Sequence, residues 1–306
     1  MYRRLLLVLA GVSLLAGCGG GGGGSSAGGG SGFNGTTTQA TVTTSNARAV
    51  SADAYAGSQF SASVSGIAKQ SGADSMQAPL LQQTAGILEN SVKAVFGSPG
   101  SSAKVVDATA QNTVNGFSGS FSYTITYDQT SGAFNGTITF SQYKDASTSP
   151  SITGSMAFSG VYNQAAGVFT SLNIGMTSLS GAKDGKSYSL AGSVSFNTSG
   201  VTKTVTMSVV LTDNVSGRTY WVKDYLLVLT GSTLTMIGTY YDPIHGFVVI
   251  STAVPLTVST IDAMPSAGQL LFTGVNNTKA RLTFTGGGVF TVEADTTGNG
   301  TYVVVP

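Results

Sequence analysis

Apolar and polar residues alternate with a period of two over most of the chain. From Gly116 onward, Phe121, Tyr123, Ile125 and Tyr127 alternate with Ser122, Thr124 and Thr126. The same rhythm runs through Ile152, Gly154, Met156 and Phe158. It returns in Tyr188, Leu190, Gly192, Val194 and Phe196, and again in Val205, Met207, Val209 and Leu211. A period of two sends successive side chains to opposite faces of a strand. Each strand therefore offers one apolar face to a core and one Ser/Thr face to water, as half-wet antiparallel sheets do. Gly116 to Val305 has room for about ten or more such strands. An open sheet of that size leaves hazardous edges, so the pattern predicts a mainly β fold, an antiparallel meander closed as a barrel or a sandwich.

The turns repeat. Tyr127-Asp128-Gln129-Thr130-Ser131-Gly132-Ala133-Phe134 is echoed by Tyr162-Asn163-Gln164-Ala165-Ala166-Gly167-Val168-Phe169, and more loosely by Tyr241-Asp242-Pro243-Ile244-His245-Gly246-Phe247. An early Asp or Asn bonds its own backbone, and a late Gly supplies positive φ. Phe196 to Val201 and Asp213 to Gly217 are further hairpin signals. The repeats read as structural, with aromatic residues stapling hairpin ends.

Before the strands the period changes to that of helices. Ala52, Ala56, Phe60, Val64, Ile67 and Ala68 predict a helix from about Ser51 to Gln70, with Ser51 as cap and Asp53 in the first turn. Leu81, Ala85, Leu88, Val92 and Val95 line one face of a second helix from about Met76 to Phe96. Pro79 fits its first turn and Gly97 its stop. Two N-terminal helices thus precede the β-domain and are expected to pack on it.

The first apolar run is different. Arg3 and Arg4 precede Leu5 to Leu15, and small residues follow, the layout of a secretory leader. The run is too short for a membrane-spanning helix, which needs about 20 apolar residues. Gly19 to Gly35 is almost all Gly and Ser and predicts a flexible tether with a typical span of about 20–25 Å. No strand precedes the Gly19–Gly24 run and no Gly-Lys-Ser/Thr follows it, so it is not a phosphate loop. Thr36 to Thr44 extends the tether. The expected organisation is a signal peptide over 1–17, a tether over 18–45, a helical segment over 46–100 and a β-domain over 101–306.

Charge narrows the partners. Only 9% of residues are charged and the formal net charge is +1. Loss of Arg3 and Arg4 with the leader brings it near −1. A nucleic-acid binder needs a basic patch or stripe, and Lys and Arg here are sparse and scattered. The 42 glycines and abundant Ser and Thr resemble extracellular β-rich proteins.

Catalytic groups are scarce. The chain's one histidine, His245, lies in a turn, and its glutamates are Glu89 and Glu293. Neither a nucleophile–base pair nor a zinc ligand set emerges, and no cofactor is expected. A hydrolase working through Asp residues lacks a nominated carboxylate pair. Asp295, Thr297 and Asn299, in Asp295-Thr296-Thr297-Gly298-Asn299-Gly300-Thr301, offer oxygens at alternate positions with Gly at the sixth, like the start of a calcium loop. Position twelve is Pro306, however, and an Asn-Gly hairpin explains the segment better. Trp221 with Tyr220 and Tyr225, among Arg218, Lys223 and Asp224, is a candidate binding surface for carbohydrate or peptide; a core tryptophan is the plainer reading. Tyr240 and Tyr241 share that ambiguity.

Cys18 is the one cysteine of the 306 residues, so no disulfide forms within the chain. Leu15-Ala16-Gly17-Cys18 resembles the lipobox of bacterial lipoproteins. The resemblance implies cleavage before Cys18, lipid on its thiol and acylation of the new amine, hence anchoring in a membrane; Gly19 fits sorting to the outer membrane. Two or more acyl chains hold firmly where one does not. Pro265-Ser266-Ala267-Gly268-Gln269-Leu270, Phe272-Thr273-Gly274 and Asp295 through Tyr302 resemble a group of uncharacterised proteobacterial surface lipoproteins, which implies compartment but no activity. The expectation is a lipid-anchored envelope protein, without catalysis, that binds or scaffolds an envelope or surface protein partner. The alternatives are a periplasm-facing barrel holding an apolar ligand and a transmembrane β-barrel. Against the latter stand the Ser/Thr outer faces and the missing terminal aromatic.

Overall fold

The computed structural model describes residues 32–56, 77–97, 107–259 and 264–306. The leader, Cys18, the tether up to residue 31 and positions 57–70 of the first expected helix lie outside them.

Fourteen strands form one antiparallel sheet in sequence order. They are β1 (Ala108–Asn115), β2 (Ser118–Tyr127), β3 (Ala133–Lys144), β4 (Ser151–Asn163), β5 (Val168–Lys183), β6 (Lys186–Ser199) and β7 (Thr202–Asp213). Then come β8 (Thr219–Thr230), β9 (Thr233–Asp242), β10 (Gly246–Thr257), β11 (Ala267–Thr273), β12 (Lys279–Gly286), β13 (Val289–Asp295) and β14 (Val303–Val305). The expected antiparallel meander is present. Its hydrogen bonding is open: no ladder joins β1 to β14 among the described residues. Both edges are unattractive templates, because β1 is mostly polar and β14 is three residues long. β1 precedes the alternating region, and its weak pattern hid it.

One face of the sheet is apolar from end to end. Phe121, Ile125, Ile138, Met156, Leu179, Val194, Met207, Leu227, Met236, Ile250, Phe272, Leu282 and Val292 belong to a single buried cluster. Helix α1 (Gln77–Phe96) lies on this inner face. Its N-terminal part meets β5, where Leu80 sits over Gly181. Its C-terminal end meets the opposite rim, where Phe96 contacts Tyr127, Phe134 and Tyr162 at ring centroid distances of 5.5, 6.3 and 5.4 Å. Gly97 ends α1 by donating its N–H to the Lys93 carbonyl. Of the expected face, Leu88, Val92 and Val95 are buried and Ala85 is half-buried, while the Leu81 side chain lies outside the described residues; Leu80, Thr84 and Ser91 are buried with them. Thr84 satisfies its hydroxyl on the Leu80 carbonyl.

The first helix begins earlier than expected, at residue 47, and contains a π-helical turn over Ala49–Asp53. Ala47, Val50, Ala54 and Tyr55 join the core. Tyr55 packs on Phe284 of β12, and the buried Tyr225 hydroxyl donates to the Ala54 carbonyl.

The tether ends sooner than composition suggested. Residues 34–42 form a strap bound to the sheet rim. Thr36 N–H donates to the Pro243 carbonyl, Phe247 N–H to Thr38, Ala40 N–H to Phe247 and Val275 N–H to Ala40. The strap runs from the outer face at Phe33, over the β9–β10 and β11–β12 turns, into the core at Ala40 and Val42. Low hydrophobicity concealed it, because main-chain hydrogen bonds hold it.

The repeated turns share one device. Asp128, Asn163, Asp213 and Asp242 each accept from backbone N–H groups two or three residues ahead and stand four residues before a positive-φ glycine. Bonds from Thr130 and Ser131 hold Asp128 below the usual carboxylate range, and the Ser216 hydroxyl leads the same effect on Asp213.

Candidate functional site

The three residues of the Tyr220–Trp221–Tyr225 surface do not share a face. Tyr220 and Trp221 are neighbours in β8, so they point oppositely. Tyr220 packs toward the core and Trp221 points outward. Strict alternation would put Tyr225 with Trp221, but a β-bulge intervenes. Met207 pairs with Tyr225 and Val209 with Val222, so β8 has an extra residue there. Asp224 takes φ 51° and is held by Ser208, whose Oγ accepts the Asp224 N–H at 3.0 Å. The extra residue reverses the register and turns Tyr225 fully inward. Tyr240 is likewise buried, and burial pushes both phenols well above their ordinary pKa.

Trp221 instead belongs to an outer-face aromatic cluster. It stacks on Tyr241, its cross-strand partner in β9, at 4.7 Å. Tyr241 meets Phe247 of β10 at 5.2 Å. Phe33, just before the strap, covers both, at 6.0 Å from Trp221 and 5.5 Å from Tyr241. Lys223 Nζ lies 5.1 Å from the Trp221 ring, a cation–π arrangement. Val210, paired with Trp221 on the neighbouring strand, is buried beside it. Trp221 Nε1 is buried without a hydrogen-bond partner among the described residues. Asn34 pins Phe33 in place: its N–H donates to Thr219 Oγ1 at 2.8 Å and its Oδ1 accepts from that hydroxyl. Phe33 escaped sequence reasoning because it sits in the Gly/Ser/Thr stretch. Its signal was its isolation, as the one aromatic between Gly19 and Thr44.

The Asp295 loop is an anion-satisfying turn. Asp295 is fully buried. Oδ1 accepts from the N–H groups of Thr297 and Gly298, and Oδ2 accepts from Gly300 N–H. Burial works to raise its pKa, but the bonds from Gly300, Gly298 and Thr297 outweigh it and the carboxyl lies below its usual value. Thr297 Oγ1 also donates to Asp295, and Asn299 Oδ1 accepts from Thr301 N–H. The oxygens a cation would need are thus engaged within the turn.

The remaining candidates are dispersed. His245 donates its backbone N–H to Asp242 in the β9–β10 turn. Glu89 pairs with Lys93 on α1. Glu293 forms a two-bond pair with Arg281, at 2.7 and 2.9 Å, and Arg281 stacks over Tyr302 at 4.0 Å. Among the described residues no group of three or more His, Cys, Asp or Glu is placed to hold a metal ion. None of their helices is long and apolar enough to cross a membrane. One carboxyl stands apart chemically: Asp53, on the π-helical turn, has its pKa pushed up to about 6 by partial burial and by the Asp242 carboxylate, against the opposing charge of Arg48. Compared with family models, curated proteins and solved structures, the chain matched none.

Proposed function

We propose that this is a lipid-anchored protein of the bacterial cell envelope, attached through Cys18, whose β-body binds or scaffolds a surface or envelope partner without catalysis. The observation that supports this most is the lone Cys18, which ends a positively charged, apolar leader in Leu15-Ala16-Gly17-Cys18 and opens a glycine tether. Gly19 favours the outer membrane. In this reading the sheet curls around α1 and residues 40–55 instead of closing strand to strand, because both segments share its core cluster. Hydroxyl-rich outer faces over β2 to β7 keep that body in water. A Cys18→Ala variant tests the reading: fatty-acid labelling and membrane association are both lost. If both persist unchanged, the anchoring fails. Protease shaving of intact cells then reports which side of the outer membrane bears the body.

A further inference from the structure

We infer that the outer face of β8 and β9, capped by Phe33, rests on the lipid surface to which the chain is anchored. The inference depends on lipid attachment at Cys18, as proposed above.

The outer face of the sheet has two chemistries. Across β2 and β3 its cross-strand pairs are Ser120 with Ser141, Ser122 with Thr139, Thr124 with Thr137 and Thr126 with Asn135. Across β6 and β7 they include Ser193 with Ser208, Ser195 with Thr206 and Asn197 with Thr204. At β8 the pattern breaks. Trp221 faces Tyr241, Leu226 faces Ile237, and Val228 faces Thr235. Phe247 and Val249 extend the apolar area onto β10. Ile237 is 50% exposed and Val249 is 43% exposed, and Ile244, on the adjoining turn, is 55% exposed. The Lys223–Thr239 pair separates the aromatic cluster from Leu226 and Ile237, so the face is apolar with one basic break, and exposed apolar area of this kind calls for an occupant.

The chain itself indicates which occupant. The tether enters the body on this face, at Gly32 and Phe33, beside Val210, Trp221 and Tyr241. Gly19 to Gly32 is 14 residues. For a Gly/Ser-rich sequence of that length, composition predicts a typical span of about 20 Å and a stretched limit of about 50 Å. A bilayer holding Cys18 is therefore within tether reach of this face, where the chain enters the body. The chemistry matches as well. Trp and Tyr rings, apolar at the body and polar at the tip, favour the headgroup boundary. Lys223, whose ammonium lies over the Trp221 ring, offers its charge to lipid phosphate.

Trp221 is the one tryptophan of the chain, so its emission reports the contact. Protein made with its leader in a bacterial host is reconstituted into phosphatidylcholine vesicles whose acyl chains are brominated near the headgroup. The expected result is protein that floats with the vesicles and loses most of its Trp221 emission to bromine. An Ile237→Asp, Val249→Asp double variant, altered only at exposed sites, keeps its unfolding temperature and recovers the emission. Floating protein whose emission is untouched overturns the docking and leaves the anchor standing. Protein that neither floats nor bears fatty acid on Cys18 overturns both. Emission that depends on protein density in unbrominated vesicles gives the face to a second copy and also overturns the proposal.

Discussion

Leu80 of α1 stands directly over Gly181 of β5: a Cβ on the glycine would come within 2.9 Å of both Leu80 methyl groups. The absent side chain is the hole into which the helix inserts, and it fixes where α1 crosses the sheet. Leu80→Ala should destabilise the protein by about 2–5 kcal/mol through the cavity it leaves. Gly181→Ala should cost about 1–3 kcal/mol by overpacking the same spot. The two sites touch, so the double variant should lose less than the sum of the single losses. Urea unfolding of the four proteins measures this; strict additivity would mean that Leu80 and Gly181 are not partners.

Thr252 should behave as part of the β9–β10 ladder. Regular pairing breaks between Val248 and Leu256. In that gap Thr252 Oγ1 accepts the Met236 N–H at 2.7 Å and donates to the Met236 carbonyl at 2.8 Å. One hydroxyl thus satisfies both backbone groups of a strand residue. Thr252→Val keeps the shape and removes both bonds, so it should cost about 1–3 kcal/mol. Thr252→Ser should retain most of the stability. Equal thermal shifts for the two variants would show that the hydroxyl is not the cause.

Neither of these two contacts was legible in the sequence, although the elements that carry them were. The strands were visible because a half-wet sheet imposes a period of two, and the turns because Asp128, Asn163 and Asp242 each stand four residues before a glycine. What escaped was set by single-residue exceptions. Asp224 adds one residue to β8, and that residue alone moved Tyr225 from the expected surface to the core. Phe33 and the strap escaped because main-chain bonds to Pro243 and Phe247 hold residues that look like linker. The aromatic cluster was half legible: Trp221 and Tyr241 were noticed separately, but only the β8–β9 register stacks them.

Stability should rise as the pH falls from 7 toward 4, then fall again. Asp53 has a folded pKa of about 6 against an ordinary 3.8, from partial burial first, then Asp242, with Arg48 opposing. The folded state therefore binds the proton more tightly than the unfolded chain. Ionising Asp53 weakens the fold as pH rises between about 4 and 6. Solvent reaches this side chain, so the effect should be about 1 kcal/mol, well below what the full shift would imply. Asp128, Asp213 and Asp295 have lowered values, so their contribution is present above about 4 and disappears below it. Melting temperatures from pH 3 to 8 test both limbs. Asp53→Asn should flatten the curve between 4 and 6 and leave the acid limb in place; an unchanged slope would exclude Asp53 as its source.

Phe33 should control both the stability of the strap and the environment of Trp221. It is half-buried against Trp221 and Tyr241, and the hydrogen bonds between Asn34 and Thr219 lock the residue that follows it. Fully burying a phenylalanine contributes about 1.5–3 kcal/mol, so removing a half-buried ring should cost about 1 kcal/mol. The optical effect should be larger than the energetic one. With Phe33 gone, water reaches the indole, so Phe33→Ala should move Trp221 emission to longer wavelength and make it more accessible to acrylamide. Asn34→Ala should do the same more weakly, because it releases the latch but leaves the ring. The chain has no other tryptophan, so the signal has a single source. Emission in Phe33→Ala identical to that of the unaltered protein would mean that the strap does not cover Trp221 in solution, and the cluster would then reduce to the cross-strand stack of Trp221 and Tyr241.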